Sequence, residues 1–168
     1  MKDNSNKPIF DPCCGGRMFY FDKQNPNVLF CDNREFDGII WTSKDGKQTR
    51  THTVKPDMLC DVTELPFDDE SFWHVVFDPP HVMTVGDNAW LAKKYGKLPK
   101  DWKTFIKSSF DECWRVLKPN GTLVFKWCEE SVTTGAIIDA IGRKPLYGQK
   151  VSSKRQTHWL CFVKVEKQ

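Results

Sequence analysis

The chain is missing several features that would fix its class at once. No stretch approaches the roughly 20 apolar residues that a membrane-spanning helix needs. The N-terminus, MKDNSNKP, is polar and has no apolar signal-peptide core. A cytoplasmic protein without a membrane partner is the expectation. No Cys-x-x-Cys pair occurs among the seven cysteines, at 13, 14, 31, 60, 113, 128 and 161. That spacing argues against a zinc ribbon or a redox dithiol. Most of these cysteines sit in or beside apolar runs such as VLFCD, DMLCD and WLCFV, as small buried residues of a reducing compartment do. No metal site is expected. No Gly-Lys-Ser/Thr is present, which excludes a phosphate-gripping P-loop, and no Gly-x-Gly-x-x-Gly, which argues against a nicotinamide or flavin dinucleotide. Neither a repeat nor a low-complexity linker interrupts the 168 residues, so one domain over residues 1–168 is expected. The net charge of +3 permits a nucleic-acid partner without demanding one.

What the chain does contain is a series of short apolar runs, each stopped by polar or turn residues. They are PIFDPCC (8–14), NVLFCD (27–32), DMLCD (57–61), HVVFD (74–78), TLVFKW (122–127) and HWLCFVKVE (158–166). Short runs that are apolar throughout fit strands covered on both faces, as in a parallel sheet between helices. DWKTFIKSSFDECWRVLKPNG places Trp102, Phe105, Ile106, Phe110, Cys113, Trp114 and Leu117 at helical spacing, with Asp101 as N-cap and Pro119-Asn120-Gly121 as the stop. A second helix is predicted over residues 131–142, capped by Ser131, and a short one from GGRMFYFDK. Asp45-Gly46 predicts a hairpin between the second and third sheet strands. Strands near 145–151 and 158–166, joined by SSKRQT, predict an antiparallel edge hairpin. The fold class expected is therefore α/β, a Rossmann-like three-layer α/β/α arrangement with a mostly parallel sheet.

In open α/β sheets, ligands bind beyond the carboxyl ends of the strands. The first run ends in Asp11-Pro12-Cys13-Cys14-Gly15-Gly16, where glycines let the backbone turn sharply and approach a ligand. The second ends in Asp32, positioned to accept ribose hydroxyls. The third ends in Asp61-Val62, where a carboxylate can accept from the exocyclic amine of adenine. The fourth ends in Asp78-Pro79-Pro80-His81. Each acid alone is equally well a turn or cap residue. Together they describe a cleft for a ligand with a ribose, an adenine and no long phosphate chain, which is S-adenosylmethionine.

At these residues the chain resembles the class I S-adenosylmethionine-dependent methyltransferases, and more narrowly the amino-methyltransferases of adenine N6 and cytosine N4. FDPCCGG is similar to their cofactor loop. LCDVTELPFDDESFWHVVFDPPH is similar to their acid, turn, strand and catalytic loop. RVLKPNGTLVFKW is similar to their helix-to-strand passage. The resemblance covers roughly residues 8–127 and extends, more loosely, to small prophage-type members without a target-recognition domain. Two departures stand out: Gly15-Gly16-Arg17 in place of Gly-x-Gly, and His81 where the family has a larger aromatic ring. The resemblance implies that Asp11, Pro12, Cys13, Gly15, Asp32, Asp61, Val62 and Asp78 hold the cofactor. It also implies catalysis by Asp78, Pro79, Pro80 and His81. The Asp78 carboxylate and the Pro79 carbonyl each accept an N–H of the target amine, while His81 stacks on the base, donates to it, or changes charge near neutral pH.

Residues 81–107 border this cleft and hold Lys93, Lys94, Lys97, Lys100, Lys103 and Lys107 interleaved with Trp90, Tyr95 and Trp102. Lysines among aromatics suit a nucleic-acid backbone and unstacked bases, although a solvated lysine face over core rings reads the same. Trp90, Lys93, Lys94 and Tyr95 are the candidate substrate contacts, joined by Lys154, Arg155 and His158. The expected reaction is methylation of an exocyclic base amine, adenine N6 foremost, in DNA or RNA. Alternatives are a methyltransferase of small molecules or proteins, a non-catalytic binding subunit, and, disfavoured by the glycine spacing, a nucleotide-cofactor oxidoreductase. The sequence leaves the oligomeric state open; a monomer is compatible with it.

Overall fold

The computed structural model describes residues 7–150 and 157–165. Seven strands form one sheet. They are β1 (Ile9–Asp11), β2 (Val28–Asp32), β5 (Met58–Leu59), β6 (Phe72–Phe77), β7 (Leu117–Cys128), β8 (Tyr147–Lys150) and β9 (Thr157–Val163). Their order is β5-β2-β1-β6-β7-β9-β8. The first five strands in that order run parallel, while β9 is antiparallel to both β7 and β8. The strand order reverses beside β1, which opens a crevice at the carboxyl ends of β1 and β6. A separate antiparallel hairpin, β3 (Phe36–Thr42) with β4 (Thr49–Val54), stands between β2 and β5 as expected from Asp45-Gly46.

Alternation along β7 shows how the sheet is covered. Leu123, Phe125 and Trp127 are fully buried in a core with Ile106 and Phe110 of helix α2 (Trp102–Val116) and Ile137 of helix α3 (Thr134–Ile141). Thr122, Val124 and Lys126 face the other way and are half-buried. There, residues 12–27 form turns and not the short helix expected from GGRMFYFDK. Their aromatics explain why: Tyr20 packs edge-on to Phe30 at 4.8 Å and Phe19 edge-on to Trp159 at 5.4 Å. Rings that must meet two different strands do not fall on one helical stripe. The class of fold stands, but the layer that holds residues 12–27 is built of turns; no helix joins β5 to β6 either, where Leu65 and Phe67 pack on the α2 side.

Other boundaries shift for local reasons. Asp101 caps α2 by accepting from the Thr104 N–H, as expected. The helix ends at Val116, before Pro119-Asn120-Gly121, because Leu117 already pairs with Phe72 of β6 and Asn120 N–H donates to the Lys164 carbonyl. The cap of α3 is Thr133, which accepts from Ala136, and not Ser131. Ser131 instead accepts the Met83 N–H at 3.0 Å and so ties down the loop that follows β6. Lys154 and Arg155 lie outside the described residues. No helix among the described residues is long and apolar enough to cross a membrane, and no group of three His, Cys, Asp or Glu among them could hold a metal ion.

Candidate active site

The crevice is a cavity of about 350 Å³, within the size range of small-ligand sites. Its floor is the loop after β1. Gly15 adopts φ +47°, a conformation that disfavours a side chain. Its N–H donates to Asp32 Oδ2 at 2.9 Å, while Asp32 Oδ1 accepts the Arg34 N–H at 3.2 Å. Gly16 serves a different end from ligand approach: a Cβ there would stand 2.5 Å from His52 of β4, so this glycine lets the hairpin pack. Arg17 stacks its guanidinium on Phe30, 3.9 Å from the ring centre, and pairs with Asp57 at 3.0 Å, which locks the loop to β2.

The predicted cofactor residues separate into two groups. Pro12, Cys13, Gly15, Asp32, Val62 and Asp78 line the cavity together. Asp11 is fully buried beneath it, with Oδ1 accepting the Cys13 N–H and the Tyr20 hydroxyl beside the carboxyl group. Burial pushes its pKa up to about 8, so it is protonated at neutral pH and braces the loop. Asp61 does not line the cavity. It is exposed and its Oδ1 accepts both the N–H and the hydroxyl of Thr63, so it acts as the turn cap that Asp-x-Thr sequences make. Cys60 and Val62, on either side of it, are the lining residues.

At the end of β6, Asp78, Pro79, Pro80 and His81 all line the cavity. The Asp78 carboxylate pairs with Lys126 of β7, Oδ2 to Nζ at 2.8 Å. Burial raises the Asp78 pKa while Lys126 opposes the rise. His81 stands 5.4 Å from the Tyr95 ring and 6.4 Å from that of Trp127. Burial, and then the Lys126 charge, push its pKa down to about 4, against the pull of the Pro79 carbonyl. The imidazole is therefore neutral at pH 7, and the charge change near neutrality that its residue type offers is absent.

The far wall is helix α1 (Trp90–Tyr95), six residues that periodicity does not reveal. Tyr95 and Lys94 line the cavity; Trp90 is 38% exposed at the other end of the helix, and neither it nor Lys93 reaches the lining. Arg34 holds α1 in place. Its guanidinium donates to the carbonyls of Ala92, Lys93 and Lys94 at 3.4, 2.8 and 3.0 Å, and its Nε lies 3.5 Å from Asp32 Oδ1. Of the other lysines, Lys97 lines the cavity but pairs with Asp87, and Lys107 pairs with Asp111. Trp102 packs against the core. His158 lies 3.6 Å from Glu129, away from this wall. Arg34, which holds α1, and Lys126, which pairs with Asp78, are the residues of this crevice that motif reading passes over. The signal for Lys126 was a charge inside the otherwise apolar TLVFKW, where an unpaired lysine is rare.

No protein-family model matches the chain, and no curated protein matches its sequence. Solved structures do match in fold. One is a SAM-dependent methyltransferase of Methanosarcina mazei, at 10% identity and TM-score 0.57, covering 95% of this chain and 92% of that one. A Pyrococcus horikoshii protein matches at 13% identity and TM-score 0.57, covering 94% and 81%. The geranyl diphosphate C-methyltransferase of Streptomyces coelicolor, solved with geranyl diphosphate and S-adenosyl-L-homocysteine, matches at 11% and 0.54, covering 96% and 72%. At these identities the likeness establishes the fold, a Rossmann-like class I methyltransferase fold.

Proposed function

We propose that this protein is an S-adenosylmethionine-dependent methyltransferase that modifies an exocyclic amino group of a base in DNA or RNA, adenine N6 foremost. The observation that carries the reading is convergence. The Gly15 turn, the Asp32 carboxylate and the whole Asp78-Pro79-Pro80-His81 turn line one cavity at the carboxyl ends of parallel strands. Neighbours in fold solved with S-adenosyl-L-homocysteine or SAM support the cofactor.

The residues fit that cofactor. A carboxylate has about four acceptor positions. Asp32 accepts the Gly15 and Arg34 N–H groups and also lines the cavity, where its carboxylate can meet the ribose hydroxyls. Cys60, Val62 and Phe105 give an apolar surface suited to a purine. When bound, S-adenosylmethionine supplies a methyl group already activated by its sulfonium sulfur. The chain's own task is the nucleophile, whose lone pair is delocalised into the base. Asp78 accepts one N–H of the amine on an oxygen position that Lys126 leaves free, and the Pro79 carbonyl accepts the other. The two prolines hold these acceptors at a set spacing, which aims the lone pair. After transfer the methylated nitrogen carries a surplus proton, and Asp78, whose pKa burial has raised, takes it. The neutral His81 ring and Tyr95 flank the base, and Lys94 contacts the backbone. In a duplex the base must first be flipped out.

The test is transfer of labelled methyl to unmethylated DNA and, separately, to RNA, with Asp78→Ala beside the wild type. Label on one polymer, lost in the variant, supports the reading. No label on either, with cofactor still bound by calorimetry, refutes the nucleic-acid substrate and turns attention to small molecules or protein side chains.

A further inference from the structure

Lys126 is the second charge of the catalytic corner. We propose that its pairing with Asp78 sets which amines the site accepts: it makes the corner electrically neutral, so that a neutral aromatic amine is taken and an alkylammonium is refused. The proposal rests on the amino-methyltransferase reading given above.

The register of the sheet puts the pair together. Val76 lies opposite Val124 and Phe77 opposite Phe125, so residue 78 comes beside residue 126 on the face away from α2. Lys126 is walled by aromatic rings, with Nζ 5.5 Å from the Phe19 centroid and 5.9 Å from that of Trp159. The side chains of Lys126 and Asp78 are only 18% and 17% exposed. A lysine in the middle of a sheet carries a desolvation cost that a structural role does not require, since an apolar residue would pack there as well or better. Its retention needs a reason, and the 2.8 Å contact with the carboxylate supplies one.

The other titratable groups that act on Asp78 are Asp11 at the end of β1 and Cys13 and Tyr20 from the turn segment, while His81 of the following loop faces Lys126. Burial keeps Asp11, Cys13 and Tyr20 protonated and His81 neutral at pH 7. Asp78 and Lys126 are then the opposed pair at the corner, 2.8 Å apart, while Asp32, Arg34, Lys94 and Lys97 stand elsewhere in the cavity lining. A lone carboxylate there would attract an alkylammonium and hold it protonated, with no lone pair to react. With Lys126 beside it, a cationic amine meets a like charge in a poorly solvated site, whereas a base amine, neutral already, meets none. Lys126 also opposes the rise that burial imposes on the Asp78 pKa, which favours the carboxylate form that accepts the N–H and the later proton.

The experiment compares wild type, Lys126→Arg and Lys126→Met. Each is assayed for methyl transfer to nucleic acid across pH and to a lysine-containing peptide. The His81 imidazole is also titrated by NMR in the cofactor-free protein. Lys126→Arg is expected to keep the wild-type profile. In Lys126→Met, the acid limb of kcat/KM moves up by about 1–3 pH units, as loss of a close opposite charge requires. The ratio of peptide to nucleic-acid methylation rises, and His81 titrates above its wild-type pKa of about 4. If Lys126→Met does not fold, Lys126→Gln, which keeps a donor to Asp78 without the charge, carries the same expectations. An unmoved acid limb and an unmoved His81 titration in a folded variant overturn the proposal alone. A wild type that labels neither polymer overturns the functional reading, and the selectivity proposal falls with it.

Discussion

Arg34 offers the sharpest test of how the cleft is assembled. Replacing it with Met keeps the length of the stem and removes every donor. Three carbonyls at the end of α1 lose their partner, and the helix C-terminus loses a cation that its dipole favours. Hydrogen bonds from a charged donor contribute roughly 1.5–3 kcal/mol when well buried. The Arg34 side chain is 26% exposed, and water can replace it once the helix lifts, so about 1–2 kcal/mol is the reasonable figure. That corresponds to a roughly 5- to 30-fold larger open population. Within α1 itself, Ala92 is the one buried residue and no side chain caps the N-terminus. Hydrogen exchange at the Lys93 and Gly96 amides, which donate to Ala89 and Ala92, reads the change directly. Both amides should exchange faster by that factor, and KM for the methyl acceptor should rise. Global melting should stay close to the wild type, because the sheet core is untouched. Unchanged exchange at both amides would refute the latch.

Further expectations follow from single contacts. Gly15→Ala forces a side chain into φ +47°, which costs about 1–2 kcal/mol, and calorimetry should show weaker cofactor binding with the fold intact. Phe125→Ala empties a fully buried position in the central strand. It should cost about 3–5 kcal/mol and lower the melting temperature by roughly 6–20 °C. Asp11 gives a pH signature. Its folded pKa of about 8 lies above the unfolded value, so between the two the folded state holds a proton that the unfolded state has lost. The stability it contributes is full below the unfolded pKa and is lost as pH rises through about 8, with a slope of up to about 1.4 kcal/mol per pH unit. Denaturant titrations of Asp11→Asn should lack that slope.

The sheet was legible because its strands are apolar runs cut off by acids: VLFCD and VVFD each stop at a carboxylate that the fold brings to the cleft. The hairpin was legible from Asp45-Gly46. What escaped was decided by contacts distant in sequence. MFYF has no helical period because its rings serve different strands. Helix α1 is too short for periodicity and is held by an arginine 58 to 60 residues away. Asp61 carries the same kind of signal as Asp32, an acid ending a strand. Both close on the N–H two residues on, Asp61 on Thr63 and Asp32 on Arg34; what separates them is that Asp32 also accepts from Gly15, on the loop of another strand, and lines the cavity. The alternation that sends Lys126 towards Asp78 was visible in TLVFKW, but the partner depends on the register between β6 and β7.

The most direct test of the central claim is the position of the methyl group on the product. DNA and RNA treated with the wild-type protein and S-adenosylmethionine would be digested to nucleosides and analysed by mass spectrometry beside Asp78→Asn reactions. The account predicts a nucleoside methylated on its exocyclic nitrogen, N6-methyladenine foremost, and its loss in the variant. A methyl group on a ring carbon or a ribose oxygen, or a product that persists in Asp78→Asn, would contradict it.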